Sequence, residues 1–406
     1  MSFITVKGSR FYQYNQPYFI KGANYWQGIN LAAESTYGGD RDRLNFELDQ
    51  LQNMGVNNLR IMASSEGPDD QPYRMRPSLQ PYLGEYNENI FQGLDYLLDA
   101  LSKRKMTAVM TLSNFWHWSG GFAQYIAWIT QKEIPYPVTR DKWDEFTEFT
   151  CKFYSDNSTI KDQVNRHFKN HIRTVQTRKN TVNGKIYNHD ETIMSWQIAN
   201  EPQFAPKKWF DEIAGFIKQG SPHQLVSAGI EAKVDQTDFL NAHSTEFIDY
   251  CTCHCWVENW GKYDPSDPDP NNFKSAQAYL QEFITSRSQW AFDIQKPIVL
   301  EEFGMARDAW RSPSDNAYKY DPSTPTSHKD QFYEGLYRQI EHLSSQSRHG
   351  GSNFWAYGGI GRSTDEPNSF GMIWLGDPPH EPKGWYSVYD VDSTVSVIKG
   401  HCSRMS

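Results

Sequence analysis

Apolar positions along the chain fall into two patterns that alternate. Short, nearly continuous apolar runs occur at Ile20–Tyr25, Val56–Ile61, Met106–Leu112, Thr192–Ala199, residues 224–228, Ile248–His254, Ile298–Leu300 and Gly350–Tyr357. Runs of this kind are expected of strands buried on both faces of a parallel sheet. Between them apolar residues recur at helical spacing, as in Leu44, Leu48 and Leu51, stopped by Gly55, and in Ile90, Leu94, Leu97, Leu98 and Leu101. Eight strands separated by helices predict an α/β fold, a (β/α)8 barrel. Ahead of it, Phe3–Val6, Phe11–Tyr14 and Tyr18–Ile20 alternate apolar and polar around turn signals, as an N-terminal β-hairpin closing one end of the barrel would. Residues 143–178 are charged and read as a helical excursion before the fourth strand. The stretches at about 257–272, 305–328 and 358–390 are long and rich in Pro, Asp and Gly. They are expected as loops on the carboxyl side of the strands, where barrels build specificity.

Composition narrows the reading. The chain has 406 residues, room for one barrel of roughly 250 residues with elaborated loops. No linker, repeat or low-complexity tract divides it, so one domain over 1–406 is expected, as a monomer. With 40 Lys+Arg against 49 Asp+Glu the formal charge is −9, which argues against nucleic acid as a partner. No stretch approaches the roughly 18 apolar residues of a membrane span. The amino terminus lacks the charged-then-apolar layout of a secretory signal. Five Cys, an odd count, do not form a disulfide framework. Both features lead to a cytoplasmic expectation, the alternative being a secreted protein whose signal has been removed. Aromatic residues make up 15% of the chain, with 14 Trp, yet mean hydropathy is −0.73. Many aromatics beside polar groups suit a sugar site, although a barrel core also consumes them.

Chemistry gathers at two strand ends. The fourth run ends in Asn200, Glu201 and Pro202, and Pro202 is expected to restrict Glu201 to extended backbone. The seventh ends in Glu301 and Glu302, before Gly304. Side chains alternate across a strand, so only one of these two is expected to enter the site. Glu302, taken to share a face with Ile298 and Leu300, is the one chosen. Paired carboxylates on facing strand ends are what glycosidic cleavage requires. The CTCHC run (Cys251 to Cys255) invites a metal reading, which strand geometry disfavours. Its three Cys lie on one face at spacings of about 7 Å. Thr252 and His254 are then expected inside the barrel.

NEP after one strand and EFG after a later one resemble the retaining glycoside hydrolases of family five, in the large clan of TIM-barrel glycosidases. The runs Arg178 to Pro202 and Gly376 to Thr394 look like its mannan-cleaving branch, and the similarity extends from KGANYW (Lys21 to Trp26) onwards. The resemblance implies Glu201 as acid and base and Glu302 as nucleophile, with no metal or cofactor. It implies Arg60 bonded to the nucleophile, Asn200 on the sugar 2-hydroxyl, His254 orienting the carboxylates and Trp355 as the floor of the sugar subsite. Trp256 stands where the family usually has a Tyr that contacts the nucleophile. Gln203 stands where many endo-acting relatives carry Arg. Trp116 and Trp118, in SNFWHWSGG, are expected to stack on sugars, at least one of them also anchoring the loop. The acid's pKa is expected to be raised and that of the nucleophile lowered by Arg60. The implied activity is cleavage of β-1,4-mannosidic bonds in manno-oligosaccharides or mannan; Gln203 in place of Arg and the lack of a visible export signal lead to an expectation of exo action, with transglycosylation. An endo-β-1,4-mannanase is the alternative, and a non-catalytic carbohydrate-binding barrel the third reading.

Overall fold

The computed structural model describes residues 1–137, 142–155, 158–312 and 320–405. Three short strands come first, β1 (Thr5–Lys7), β2 (Arg10–Gln13) and β3 (Gln16–Tyr18). They pair as an antiparallel meander, one strand more than the expected hairpin. Phe11 of β2 packs with Ile4, Ile20, Met194, Leu225, Tyr250 and Val299, a buried apolar plug at the amino-terminal mouth of the barrel.

The barrel strands are β4 (Ile20–Asn24), β5 (Asn58–Met62), β6 (Thr107–Thr111), β7 (Ile193–Gln197), β8 (Leu225–Ser227), β9 (Cys251–Cys255), β10 (Ile298–Phe303) and β11 (Gly351–Phe354). All neighbours pair in parallel, in the order β8-β7-β6-β5-β4-β11-β10-β9, and an isolated parallel bridge between Ser227 and Tyr250 joins the two edges. The expected eighth strand divides in two. After β11 comes a cis peptide between Trp355 and Ala356, and then β12 (Tyr357–Gly359) pairs with β13 (Val388–Tyr389) apart from the barrel. That small sheet holds together the base of the loop that follows β11.

Helices clothe the outside as the periodicity predicts. Leu44, Leu48 and Leu51 are fully buried on helix Arg41–Met54, which Gly55 ends in the left-handed conformation, φ 91°. Ile90, Leu94, Leu97, Leu98 and Leu101 are buried on helix Glu88–Lys103. The excursion after β6 contains helices Gly121–Thr130, Trp143–Cys151 and Ser158–Gln176. Of the loop expected over 305–328, residues 313–319 lie outside the described residues.

Strand β10 departs from strict alternation, and this overturns one sequence expectation. Leu300 pairs with Cys253 of β9 and Glu302 with His254, so two steps along β10 match one along β9. Glu301 is the extra residue of a β-bulge. Val299 faces the interior plug, whereas Ile298 and Leu300 belong to the outer packing layer. Glu302 therefore does not share their face; the bulge turns Glu301 and Glu302 both inward.

Candidate active site

Glu201 lies just beyond β7 with φ 48°, in the left-handed region rather than the extended geometry expected from Pro202. Its N–H donates to the Gly229 carbonyl at 2.9 Å. Its side chain is gripped on both oxygens, Oε1 lying 2.6 Å from His254 Nδ1 and Oε2 accepting from Trp116 Nε1 at 2.6 Å. A bulky residue with positive φ persists where surrounding contacts over-determine it.

Arg60, on β5 and only 4% exposed, organises the floor. Its guanidinium donates to Glu302 Oε1, to Asn24 Oδ1 at 3.0 Å, to Gln197 Oε1 at 2.8 Å and to Asn200 Oδ1 at 2.6 Å. Asn200 in turn donates to Asn114 Oδ1 at 3.1 Å. The second oxygen of Glu302 accepts from Trp256 Nε1 at 3.2 Å and lies 3.3 Å from His254 Nδ1. The indole N–H of Trp256 thus reaches the carboxylate that the resemblance led one to expect beside a Tyr hydroxyl. Glu301 sits one layer deeper, accepting from Gln197 Nε2 at 2.6 Å, with Arg60 and His254 each 3.8 Å away.

Charge in this cluster is balanced and shared. Burial by itself would lower the pKa of His254, but the charge of Glu302 and the bonds to Glu201 outweigh it and push the imidazole up to about 10. Burial raises both carboxyls. On Glu201 the hydrogen bonds from His254 and Trp116 overcome it and hold the group below the usual range. On Glu302 burial, reinforced by the charge of Glu201, prevails over His254 and Arg60, leaving the group above it. These directions are opposite to those expected: Glu201 takes the His254 hydrogen bond, whereas Glu302 carries the added repulsion of the Glu201 charge. Glu201, His254 and Glu302 each offer one ligand atom, all within 4.8 Å of one another, so they are the residues that could hold a metal ion. In the protonated form, however, the imidazolium offers no lone pair.

The cluster opens into a cavity of about 490 Å³ lined by Trp116, Trp118, Asn200, Glu201, Gln203, Trp256, Glu302 and Trp355. Arg60 and His254, the remaining expected residues, lie beneath it. Trp118 and Trp355, each 4% exposed, meet edge to face at 6.1 Å. Gln203 donates to the Glu201 carbonyl at 3.1 Å. Other lining residues escaped the sequence reading: Trp143, Glu231, Lys233, Asn259, His380, Glu381 and Tyr386. Burial, helped by the charge of Glu201, pushes Glu231 up to about 8. Burial keeps Glu381 well above the carboxylate range, and its Oε2 has no partner among the described residues. No helix among the described residues is long and apolar enough to cross a membrane.

A closed parallel barrel with two carboxylates at the carboxyl ends of strands β7 and β10, above an Arg–His floor and between tryptophans, has the parts of a glycoside hydrolase. The chain belongs to glycoside hydrolase family 5: the family described as GH family 5 beta-mannosidase-like matches residues 1–406. It is 60% identical to a family 5 mannosidase from Rhizomucor miehei whose crystal structure superposes with a TM-score of 0.97, covering 100% of this chain and 97% of that one. A mutant of that enzyme, in complex with mannosyl-fructose, matches with the same identity and TM-score over 99% of this chain and 97% of the other. A mannan endo-1,4-beta-mannosidase of Solanum lycopersicum is 27% identical over 377 residues, 87% of this chain and 80% of the relative.

Proposed function

We propose that this glycoside hydrolase is a retaining, exo-acting β-mannosidase that removes β-1,4-linked mannose from manno-oligosaccharides, with Glu201 as acid and base and Glu302 as nucleophile. The observation that carries the reading is the close approach of the two carboxylates: one oxygen of Glu201, one oxygen of Glu302 and a ring nitrogen of His254 all lie within 4.8 Å of one another. An inverting enzyme keeps its carboxyl groups about 6.5–9.5 Å apart to admit a water, whereas about 5–5.5 Å suits direct attack. The substrate class follows the Rhizomucor miehei relative, named a mannosidase and crystallised in mutant form with mannosyl-fructose.

The pair cycles one proton. When Glu302 is ionised for attack, held by Arg60 and Trp256, its charge drives the shared proton onto Glu201, which gives it to the departing oxygen. Formation of the glycosyl ester removes that charge. His254 and Trp116 then hold Glu201 as the anion, ready to take a proton from the incoming water or from a second sugar. Asn200, fixed by Arg60 and Asn114, is placed to bond the 2-hydroxyl of the donor sugar.

Proton NMR of mannobiose hydrolysis tests the mechanism, since β-mannose must accumulate before α-mannose. Early α-mannose would mean inversion. The endo reading draws on the plant relatives at 27% identity, named mannan endo-1,4-beta-mannosidases. The products formed first from a longer oligosaccharide separate it from exo action.

A further inference from the structure

The proposed nucleophile, Glu302, takes one of its hydrogen bonds from an indole at 3.2 Å, longer than the bond it takes from Arg60. An indole has a single N–H in the ring plane, so it cannot rotate a donor into place as a hydroxyl does. Its aim depends on what packs against the ring. Tyr386 lies at 4.7 Å from the Trp256 ring and Trp355 meets it at 5.9 Å. Gly304 permits this approach: a Cβ there would stand 3.1 Å from the Trp256 ring, 3.1 Å from Tyr386 and 3.0 Å from the Trp355 carbonyl.

Tyr386 is itself held. Trp385 stacks on it at 4.5 Å and 20°, and its hydroxyl donates to Asn259 Oδ1. The Trp385 indole donates to Glu258 Oε2 at 2.8 Å, and the other oxygen of Glu258 accepts from the Ala306 N–H at 2.5 Å. One carboxylate thereby joins the loops after β9, β10 and β11. These loops respectively carry Trp256, follow Glu302 and supply Tyr386.

We infer that Glu258 is a positioning residue for the reaction: through Trp385 and Tyr386 it fixes the indole of Trp256 against Glu302. The inference rests on the proposed role of Glu302 as nucleophile. Glu258 touches neither substrate nor reacting atoms; it acts through the ring stack and through Ala306, beside the strand that delivers the nucleophile.

A double-mutant cycle on mannobiose hydrolysis tests it, with kcat and KM measured for Glu258→Gln, Trp256→Phe and the pair, alongside thermal unfolding. Glu258→Gln should lower kcat about fivefold with KM within about twofold, and Trp256→Phe about tenfold or more, if the two act on one contact. The double variant should then be no slower than Trp256→Phe within about twofold. Multiplying losses, or an unchanged kcat in Glu258→Gln, would overturn the inference. Should Glu258→Gln fail to fold, Trp385→Phe keeps the stack, deletes the N–H and must show the same non-additivity. Glu302→Gln provides the separate control. If it retains turnover, the reading of the site itself fails, whatever the cycle gives.

Discussion

Trp116 donates its indole N–H to Glu201 Oε2 at 2.6 Å, so a residue expected to be a sugar platform holds the carboxylate proposed as acid and base. The ring is braced by Phe146, stacked at 6.2 Å, and by the edge contact with Trp143 at 5.7 Å. Trp116→Phe keeps this packing and removes the donor. Loss of a donor to the anion favours the neutral form, so the pKa of Glu201 rises. A charge-assisted bond of this kind is worth about 1.5–3 kcal/mol, hence kcat should fall about tenfold or more. The pH profile of kcat/KM should shift to higher pH. An unmoved profile with kcat within twofold would rule out the role.

Glu201→Ala and Glu302→Ala should each lose about 10³-fold or more in turnover on mannobiose while remaining folded. With an aryl mannoside that needs no acid, azide should rescue Glu201→Ala and yield a β-mannosyl azide, whereas Glu302→Ala should give the inverted α-azide. A mechanism-based fluorosugar should label Glu302. Labelling of Glu301 would show that the bulge presents the other carboxylate, although Glu301 lies deeper and is bonded to Gln197.

Chelation should leave activity unchanged. Arg60 and His254 supply the positive charge around the carboxylates, and His254 is pushed up to about 10, so it stays protonated at neutral pH. Loss of activity in EDTA that zinc restores would reassign Glu201, His254 and Glu302 as metal ligands.

Glu66, in the loop after β5, gives a pH-dependent stability unrelated to catalysis. It is fully buried; one oxygen accepts from the Gly121 N–H at 2.8 Å and the other has no partner among the described residues. Burial pushes its carboxyl up to about 8. A folded pKa above the unfolded value means that the native state holds the extra proton, so its contribution is fully present below about pH 4.5. It is lost as pH rises through about 8, by up to about 5 kcal/mol. Glu66→Gln mimics the protonated acid and should flatten this decline. Parallel curves of Tm against pH from 5 to 9 for the two proteins would disprove it.

The barrel was legible because buried parallel strands and amphipathic helices repeat on periods that the chain displays. Arg60, Glu201 and His254 were legible because each stands in or directly after such a strand, where register dictates direction. Glu301 was not, since a bulge is a pairing event between β9 and β10 that no single-strand pattern encodes. The left-handed φ of Glu201 escaped for a related reason: contacts from His254, Trp116 and Gly229, distant in sequence, override the local preference imposed by Pro202. Glu231, Asn259 and Glu381 come from loops without periodicity, and only the folded chain brings them to the cavity.

The same loops lead to the prediction of exo action. With Glu201 as the proposed acid, the departing sugar is expected to extend toward the loops bearing Gln203, Phe204, Glu231 and Lys233, where Phe204 is 68% exposed at the cavity mouth. On the proposed donor side, two loops meet across the cavity. His117, in the loop after β6, meets His380, in the loop after β11, with ring centroids 4.9 Å apart. Tyr136 and Phe146 brace His117 at 5.8 and 5.4 Å, and burial pushes the His117 imidazole well below its usual pKa. On this reading, a chain longer than one sugar on the donor side would have to pass through this contact. Mannohexaose should therefore yield mannose and mannopentaose first, with a slow fall in mannan viscosity. At high substrate the open acceptor side should let a second sugar compete with water for the glycosyl-enzyme, giving longer products. Replacing both His117 and His380 with Gly should open the wall, so that mannobiose appears among the earliest products. Early mannobiose and mannotriose from the unaltered enzyme, with a rapid viscosity drop, would instead establish an open cleft and endo action.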